Sequence, residues 1–260
     1  MSGRANSCSR PAIRSRPQHL VGASDPLTVA DATNGERSLV EWLKADGIRN
    51  VKVKVHARDP DQDARRIVDV HSVCRAAGVD PSLAVDPNEG YASAQDVITL
   101  MESVQALDAE VASAIAYVEQ PVPRGSTPDA ELMRRASGLV PVLMDEALTD
   151  VSTIPLLAEQ GWSGIVTKAG KGQSPAILAH AAARKLGMQV MVQDLTAVDL
   201  AFLHSARIAS VFDLPTPHVE YNSRQYAPDG NRELGRRFPE LTTVVNGSVH
   251  VPGAGEVGLY

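Results

Sequence analysis

The residues best suited to chemistry are two lysines and three acids at the ends of short apolar runs. Lys52 and Lys54 stand in Val51-Lys52-Val53-Lys54-Val55, a strict alternation. Successive side chains of an extended strand face opposite sides, so the valines share one face and the lysines the other. If the valines pack against helices, both ammonium groups point inward. Burying them is costly unless they meet anions or take part in a reaction. A solvent-facing edge strand is the alternative, but the other strands read as buried. Ala84-Val85-Asp86-Pro87-Asn88, Tyr117-Val118-Glu119-Gln120-Pro121 and Leu143-Met144-Asp145-Glu146 each end an apolar run in a carboxylate. One such acid alone reads as a helix cap or a surface charge. Three in succession, after a strand carrying two lysines, read as a site. Converging carboxylates repel one another and need a cation, and all-oxygen donors favour a hard divalent ion, Mg²⁺ before Mn²⁺. Thr167-Lys168-Ala169-Gly170-Lys171 adds another lysine at the end of the next run.

The elements that must position these residues alternate along the chain. The expected strands are 27–32, 51–55, 83–86, 116–119, 140–145, 164–168, 189–193 and 210–213. Helical patterns lie between them at 36–45, 60–77, 93–107, 129–136, 151–160, 175–186 and 198–208. Pro60 and Ser93 read as helix starts, and Gly78, Gly161 and Gly187 as helix stops. A β–α alternation of this length implies parallel strands joined by right-handed crossovers. An open doubly wound sheet would show a Gly-rich phosphate turn after its first strand, which Asp31-Ala-Thr-Asn-Gly-Glu36 is not. The 260 residues suit a closed (β/α)8 TIM-like barrel, which takes about 250. In such a barrel the chemistry lies at the C-terminal ends of the strands, where these charges fall. Residues 26–260 are expected to form the barrel with a Pro-, Gly- and Asn-rich tail wrapping it from Leu214 onward. Residues 1–25, with Arg4, Arg10, Arg14 and Arg16 among Ser, Pro and Gly, are expected to be a poorly ordered tail or linker remnant.

Composition narrows the function classes. Hydrophobic residues make up 43%, which excludes a fully disordered chain. A net charge of −6 argues against general nucleic-acid binding, which needs a basic surface. No apolar run is long enough to span a membrane. Cys8 and Cys74 build neither a disulfide framework nor a zinc site, so a reducing cytoplasm is the expected location.

These motifs together resemble the barrel domain of the enolase superfamily, in its mandelate racemase and muconate-lactonizing enzyme branch. The resemblance rests on Lys52-Val-Lys54, Asp86-Pro-Asn88-Glu-Gly-Tyr91, Val118-Glu119-Gln120-Pro121, Val142-Leu-Met-Asp145-Glu146 and Lys168. It implies that Asp86, Glu119 and Asp145 hold Mg²⁺, with Glu146 the alternative third ligand. It implies that Lys54 is one base, Lys168 the base on the opposite face, and Lys52 an electrostatic aid. The seventh run ends Val192-Gln193-Asp194 without a histidine, which places the chain nearer the lysine-pair group than the mandelate racemase group. Two features depart from the pattern. Gly172-Gln173-Ser174 replaces a double glycine, and no N-terminal capping domain is expected before Leu27.

The implied activity is removal of the proton α to the carboxylate of a small substrate, most simply by an epimerase or racemase. A cycloisomerase or acid-sugar dehydratase shares the first step, and a truncated, non-catalytic barrel is the reading from another class. Homo-oligomerisation is expected, with neither nucleic acid nor membrane as partner. A lysine base requires a lowered pKa, which a neighbouring ammonium group and a cation would supply. Asn88 and Arg224 are candidate substrate contacts, Arg224 as a bidentate partner for a carboxylate. His56 is read as a loop residue, His71, His180 and His204 as helix residues, and Trp162 and Ile165 as packing.

Overall fold

The computed structural model describes residues 13–33, 35–215 and 218–253. Its eight parallel strands are β1 (Ile13–Val21), β2 (Asn50–Lys54), β3 (Ser82–Asp86), β4 (Ile115–Glu119), β5 (Val142–Met144), β6 (Gly164–Lys168), β7 (Gln189–Gln193) and β8 (His218–Glu220). They follow the order β7-β6-β5-β4-β3-β2-β1-β8. The curled sheet is a nearly closed (β/α)8 barrel. Backbone pairing of strands is lacking only between β7 and β8 among the described residues. There the Asp194 N–H donates to Glu220 Oε2 at 2.9 Å and spans the seam.

Helices α1 (Leu39–Asp46), α2 (Pro60–Ala76), α3 (Ala94–Leu107), α4 (Ala109–Ala114), α5 (Ala130–Leu139), α6 (Ile154–Glu159), α7 (Gln173–Lys185) and α8 (Leu200–Val211) form the outer layer. Their starts are written locally. Asp59 caps α2 by accepting from the Asp61 and Gln62 N–H groups, and Ser93 and Asp96 cap α3 reciprocally. In α2, Ala64, Ile67, Val70, His71 and Cys74 are buried, the three- and four-residue spacing of one helix face. That face packs on the outward side chains of the strands. Val51 and Val53 share this shell with Val97, Met133, Trp162 and Ile165. The valines of the alternating segment therefore face the helices, as their pattern requires, and the lysines face inward.

Three expectations are corrected. The first strand is not 27–32. Thr28 and Asp31 close a turn, with the Thr28 N–H and Oγ1 donating to Asp31 Oδ2 at 2.9 and 2.8 Å. Of that apolar run only Leu27 reaches the core, while Val29 is exposed. The strand is instead Ile13–Val21, inside the stretch read as tail 1–25, so the barrel begins well before residue 26. Residues 1–12 lie outside those described. Arg14 and Arg16 are exposed, while Ser15 and the run Pro17–Val21 are buried. The upper part of β1 pairs with β2 and β8. Its lower part pairs antiparallel with β9 (Val249–Val251), through Arg14 opposite His250 and Ser15 opposite Val249. The eighth strand is not 210–213, because α8 runs on through Val211 and buries Ile208 and Ala209. It is His218–Glu220, inside the segment from Leu214 expected to wrap the barrel as a tail.

Inside the barrel the lining is divided. Ala84, Tyr117, Leu143, Val166 and Met191 form an apolar cluster. Gln18, Lys52, Gln193, His218 and Glu220 are buried polar residues on β1, β2, β7 and β8. The site stands on this division, at the C-terminal ends of the strands.

Candidate active site

The mouth of the barrel holds a cavity of about 290 Å³. Its wall includes Lys52, Lys54, Asp86, Asn88, Glu119, Asp145, Glu146 and Lys168, all of the expected site residues but Arg224. It also includes Asp194 and Glu220, so six carboxyl groups face three ammonium groups.

Lys54 and Asp86 are paired across adjacent strands. Their Cα atoms are register partners, and Lys54 Nζ donates to Asp86 Oδ2 at 2.7 Å. The other Asp86 oxygen accepts the Asn88 N–H at 2.9 Å, and Asn88 Oδ1 accepts from Lys54. Lys168 Nζ lies 2.6 Å from Asp145 Oδ2 on the other side of the mouth. Lys52 is 3% exposed and central, with its Nζ 2.7 Å from Glu220 Oε1, 3.0 Å from Glu119 Oε2 and 2.8 Å from Gln193 Oε1. It is 3.9 Å from Asp86.

The loops are pinned by Gln120. Its φ of 33° lies in the left-handed region, which a non-glycine residue adopts at a cost. In return its side-chain oxygen accepts the Asp145 and Ala147 N–H groups at 2.9 and 3.1 Å, and its Nε2 donates to the Val122 carbonyl at 2.8 Å. The corner after β4 thus sets where Asp145 starts. Leu143 faces the interior, and alternation turns Asp145 inward as well. Glu146 contacts Asn88 Nδ2 at 3.3 Å nearer the rim.

The charges perturb one another. Burial raises the Glu119 pKa well above the usual carboxylate value, although Lys52 opposes the shift. Burial and then Asp145 raise Glu146. Asp194 is pushed up to about 8, by burial first and then by Glu220. Glu220 moves the other way: burial would raise it, but Lys52, the Asp194 N–H and Lys168 together hold it below the usual value. Burial would lower Lys168, but Asp145, with Glu119 and Glu220 beyond it, turns the net shift upward. The expectation of a lowered lysine pKa therefore does not hold for Lys168 while Asp145 is its partner.

Among the described residues, no three His, Cys, Asp or Glu side chains converge closely enough to hold an ion as they stand. Ammonium groups stand between the carboxylates instead. The donor set nevertheless fits a hard cation. Acids outnumber lysines, and Asp145 Oδ1 and Glu146 Oε2 are buried oxygens without a hydrogen-bond partner. A divalent ion would take up such atoms.

Arg224 is a correction. Instead of lining the cavity, it pairs with Asp46, bonds His19 Nδ1 at 2.9 Å and stacks 4.8 Å from the Trp42 ring centroid. The stronger pull of a nearby carboxylate and an aromatic face holds it behind β1 and β8. His56 lies by Ser24, outside the cavity. Glu220, Gln193 and Asp194 also line the cavity but were not among the expected site residues. The signal for Glu220 was an acid two residues after His218 in a short alternating run.

The chain matches the family model described as enolase C-terminal domain-like over residues 36–259. A comparison with curated proteins returned no match. Among solved structures, a muconate lactonizing enzyme from Klebsiella pneumoniae superposes with a TM-score of 0.67 at 20% identity, over 92% of this chain and 61% of that one. An N-succinyl Arg/Lys racemase from Bacillus cereus gives 0.65 at 20%, over 82% and 53%. A dipeptide epimerase from Enterococcus faecalis gives 0.64 at 18%, over 85% and 58%. This chain therefore spans little more than half the length of those enzymes, and at such identities the likeness is one of fold. No described helix is long and apolar enough to cross a membrane. With the family model covering nearly the whole barrel, the chain belongs to the enolase C-terminal domain-like family.

Proposed function

We propose that this protein is a divalent-metal-dependent enzyme that removes the proton α to the carboxylate of a small substrate, as a racemase or epimerase. One observation carries the reading. Lys54 and Lys168 enter one cavity from β2 and β6, four places apart in the strand order, with Asp86, Glu119 and Asp145 between them.

Asp86, Glu119 and Asp145 would hold the ion, and the inward direction of Asp145 favours it over Glu146 as third ligand. When bound, Mg²⁺ supplies positive charge that stabilises the dianionic enediolate of a substrate carboxylate. Lys54 and Lys168 are each tied to one of those acids, Asp86 and Asp145, and a cation held there would compete with the ammonium groups for them. A lysine released from its pair in this way would be the group that takes the α-proton. Lys52, enclosed by Glu119, Glu220 and Asp86, keeps its charge: burial would lower its pKa, but the surrounding acids together raise it. It contributes a fixed positive charge near the developing anion. Asn88, already bonded to Lys54 and Glu146, orients both at the rim.

A cycloisomerase or dehydratase needs one lysine as base, whereas inversion at carbon needs one on each face. The paired lysines favour inversion. The test is to incubate the protein with Mg²⁺ in D₂O against dipeptides, N-acyl amino acids and acid sugars, and to follow deuterium at the α-carbon. Incorporation that disappears in Lys54→Ala/Lys168→Ala supports the reading. Retained incorporation in that double variant overturns it.

A further inference from the structure

Below the active site, the inward faces of the strands carry a second set of polar groups. Asn50 precedes Lys52 by two residues on β2, and His218 precedes Glu220 by two on β8, so each faces inward one step lower. Gln18 stands on β1 as the register partner of both Asn50 and Glu220. Gln18, Asn50 and His218 line a small cavity of about 10 Å³ in the barrel floor. They are 2%, 4% and 2% exposed. Each has a buried polar atom without a partner: Gln18 Oε1, Asn50 Nδ2 and His218 Nε2.

We infer that this cavity is a binding site for one buried water molecule, held by Gln18, Asn50 and His218 at the foot of a hydrogen-bonded column that rises to Glu119.

The volume matches one water, and a buried water ordinarily makes about three hydrogen bonds. An apolar void of this size would remain dry; here Leu83, Ala84 and Ala116 share the wall, but the three unpartnered polar atoms supply the hydrogen-bond partners that a water needs. The donors and acceptors also balance. Asn50 Nδ2 only donates, Gln18 Oε1 only accepts, and the imidazole nitrogen can do either according to tautomer. Burial pushes the His218 pKa down to about 4, so the ring is neutral near pH 7. Water accepts from Asn50 and gives one hydrogen to Gln18 Oε1. Its second hydrogen goes to His218 Nε2 when the ring proton is on Nδ1.

The water also orients an amide. With its oxygen on the water, Gln18 turns Nε2 to the Tyr117 hydroxyl oxygen at 3.1 Å. That oxygen also accepts from Gln193 Nε2 at 3.1 Å. Gln193 Nε2 is 2.6 Å from Glu119 Oε2, and Gln193 Oε1 accepts from Lys52 at 2.8 Å. Reversing the Gln18 amide would leave two NH₂ groups, its own and that of Asn50, facing the same space. The water thus selects the orientation that supports Tyr117, and through it Gln193. The inference concerns the floor of the barrel and stands whether or not the proton-transfer reading holds.

The experiment is a crystal structure of the wild-type protein at a resolution that orders internal water. The expected result is one peak within hydrogen-bond distance, roughly 2.7–3.2 Å, of Gln18 Oε1, Asn50 Nδ2 and His218 Nε2. Well-defined side chains around an empty void, or direct bonds among the three groups, would overturn the site. In solution, the Asn50 side-chain NH₂ should show a cross-relaxation peak to water with the sign of a long-lived, slowly tumbling molecule. A peak of the opposite sign, as surface water gives, would also overturn it.

Discussion

Lys52 Nζ lies 2.7 Å from Glu220 Oε1, joining β2 to β8 inside the barrel, on either side of the β1 strand that parts them. Both side chains are 3% exposed, and the same ammonium group also meets Glu119 at 3.0 Å. Buried ions of one sign are tolerated only when matched, and here one lysine is shared between two carboxylates. Lys52 is therefore structural as well as electrostatic.

Lys52→Met keeps the volume and removes the charge. It should cost about 3–5 kcal/mol in urea unfolding, the usual result of stranding a buried partner. Lys52→Met/Glu220→Gln should cost less than the two single changes added together, with a coupling of about 1–3 kcal/mol. Strict additivity would mean that the pair does not interact.

Arg224 gives the contrary case of a residue whose chemistry suggested substrate and whose surroundings serve the scaffold. Arg224→Ala loses the Asp46 pair and the Trp42 face together. The expected outcome is a loss of about 3 kcal/mol in stability, with KM for any substrate unchanged at a temperature where the variant is folded. A large rise in KM with unchanged stability would restore it as a binding residue.

Much of this arrangement was legible in local sequence. β6 and β7 match their expected bounds residue for residue, because Gly164 and Gly187 mark the breaks and the runs between are β-branched or long apolar residues. Lys52, Lys54, Asp86, Glu119, Asp145 and Lys168 enter one cavity because strand alternation and strand ends are properties of short stretches. What was missed depends on distant partners. β1 carries Arg14, Arg16 and Pro17 and looks like tail until β8 and β9, from the far end of the chain, pair with it. Arg224 finds Asp46 from 178 residues away. Gln18, Tyr117 and Gln193 bond only once the sheet has curled, so no local pattern announces their column.

Metal loading can be read without a substrate. Mg²⁺ should raise the melting temperature of the wild type by mass action on the folded state. At a hundredfold excess over Kd the gain is about 2.7 kcal/mol. Asp86→Asn removes one ligand charge, and its melting temperature should respond much less. Equal responses would place the ion elsewhere.

Asp194 predicts a pH effect. Its pKa of about 8 in the fold exceeds that of the unfolded chain, so the folded state holds this proton longer. Stability from this group is present below the unfolded carboxylate pKa and is lost as pH rises from about 4 to 8. Asp194→Asn can still accept the Thr196 N–H and can donate to Glu220, the neighbour whose charge it otherwise opposes. The variant should gain about 1–2 kcal/mol at pH 8 and flatten the alkaline side of the stability profile. An unchanged profile would show that Asp194 is ionised in the fold.

The two lysines make the sharpest prediction, because their roles divide by hand. Under the proposed function, a planar enediolate bound in the cavity between the two lysines would offer one face to Lys54 and the other to Lys168. The lysine facing the departing proton must be neutral, while the opposite one must be protonated to return a proton and invert the centre. For a given enantiomer only one lysine can start the reaction. Once a substrate is known, exchange of the α-proton in D₂O should be followed from each enantiomer separately. Lys54→Ala should abolish exchange from one hand and Lys168→Ala from the other, each with a loss of roughly 10²-fold or more, the scale of a missing general base. Each variant should keep measurable exchange from the hand whose base remains, while net racemisation fails in both. A variant that exchanges both hands at the wild-type rate would remove its lysine from the mechanism. Loss of both hands in Lys168→Ala, with Lys54→Ala intact, would instead favour a one-base cycloisomerase or dehydratase.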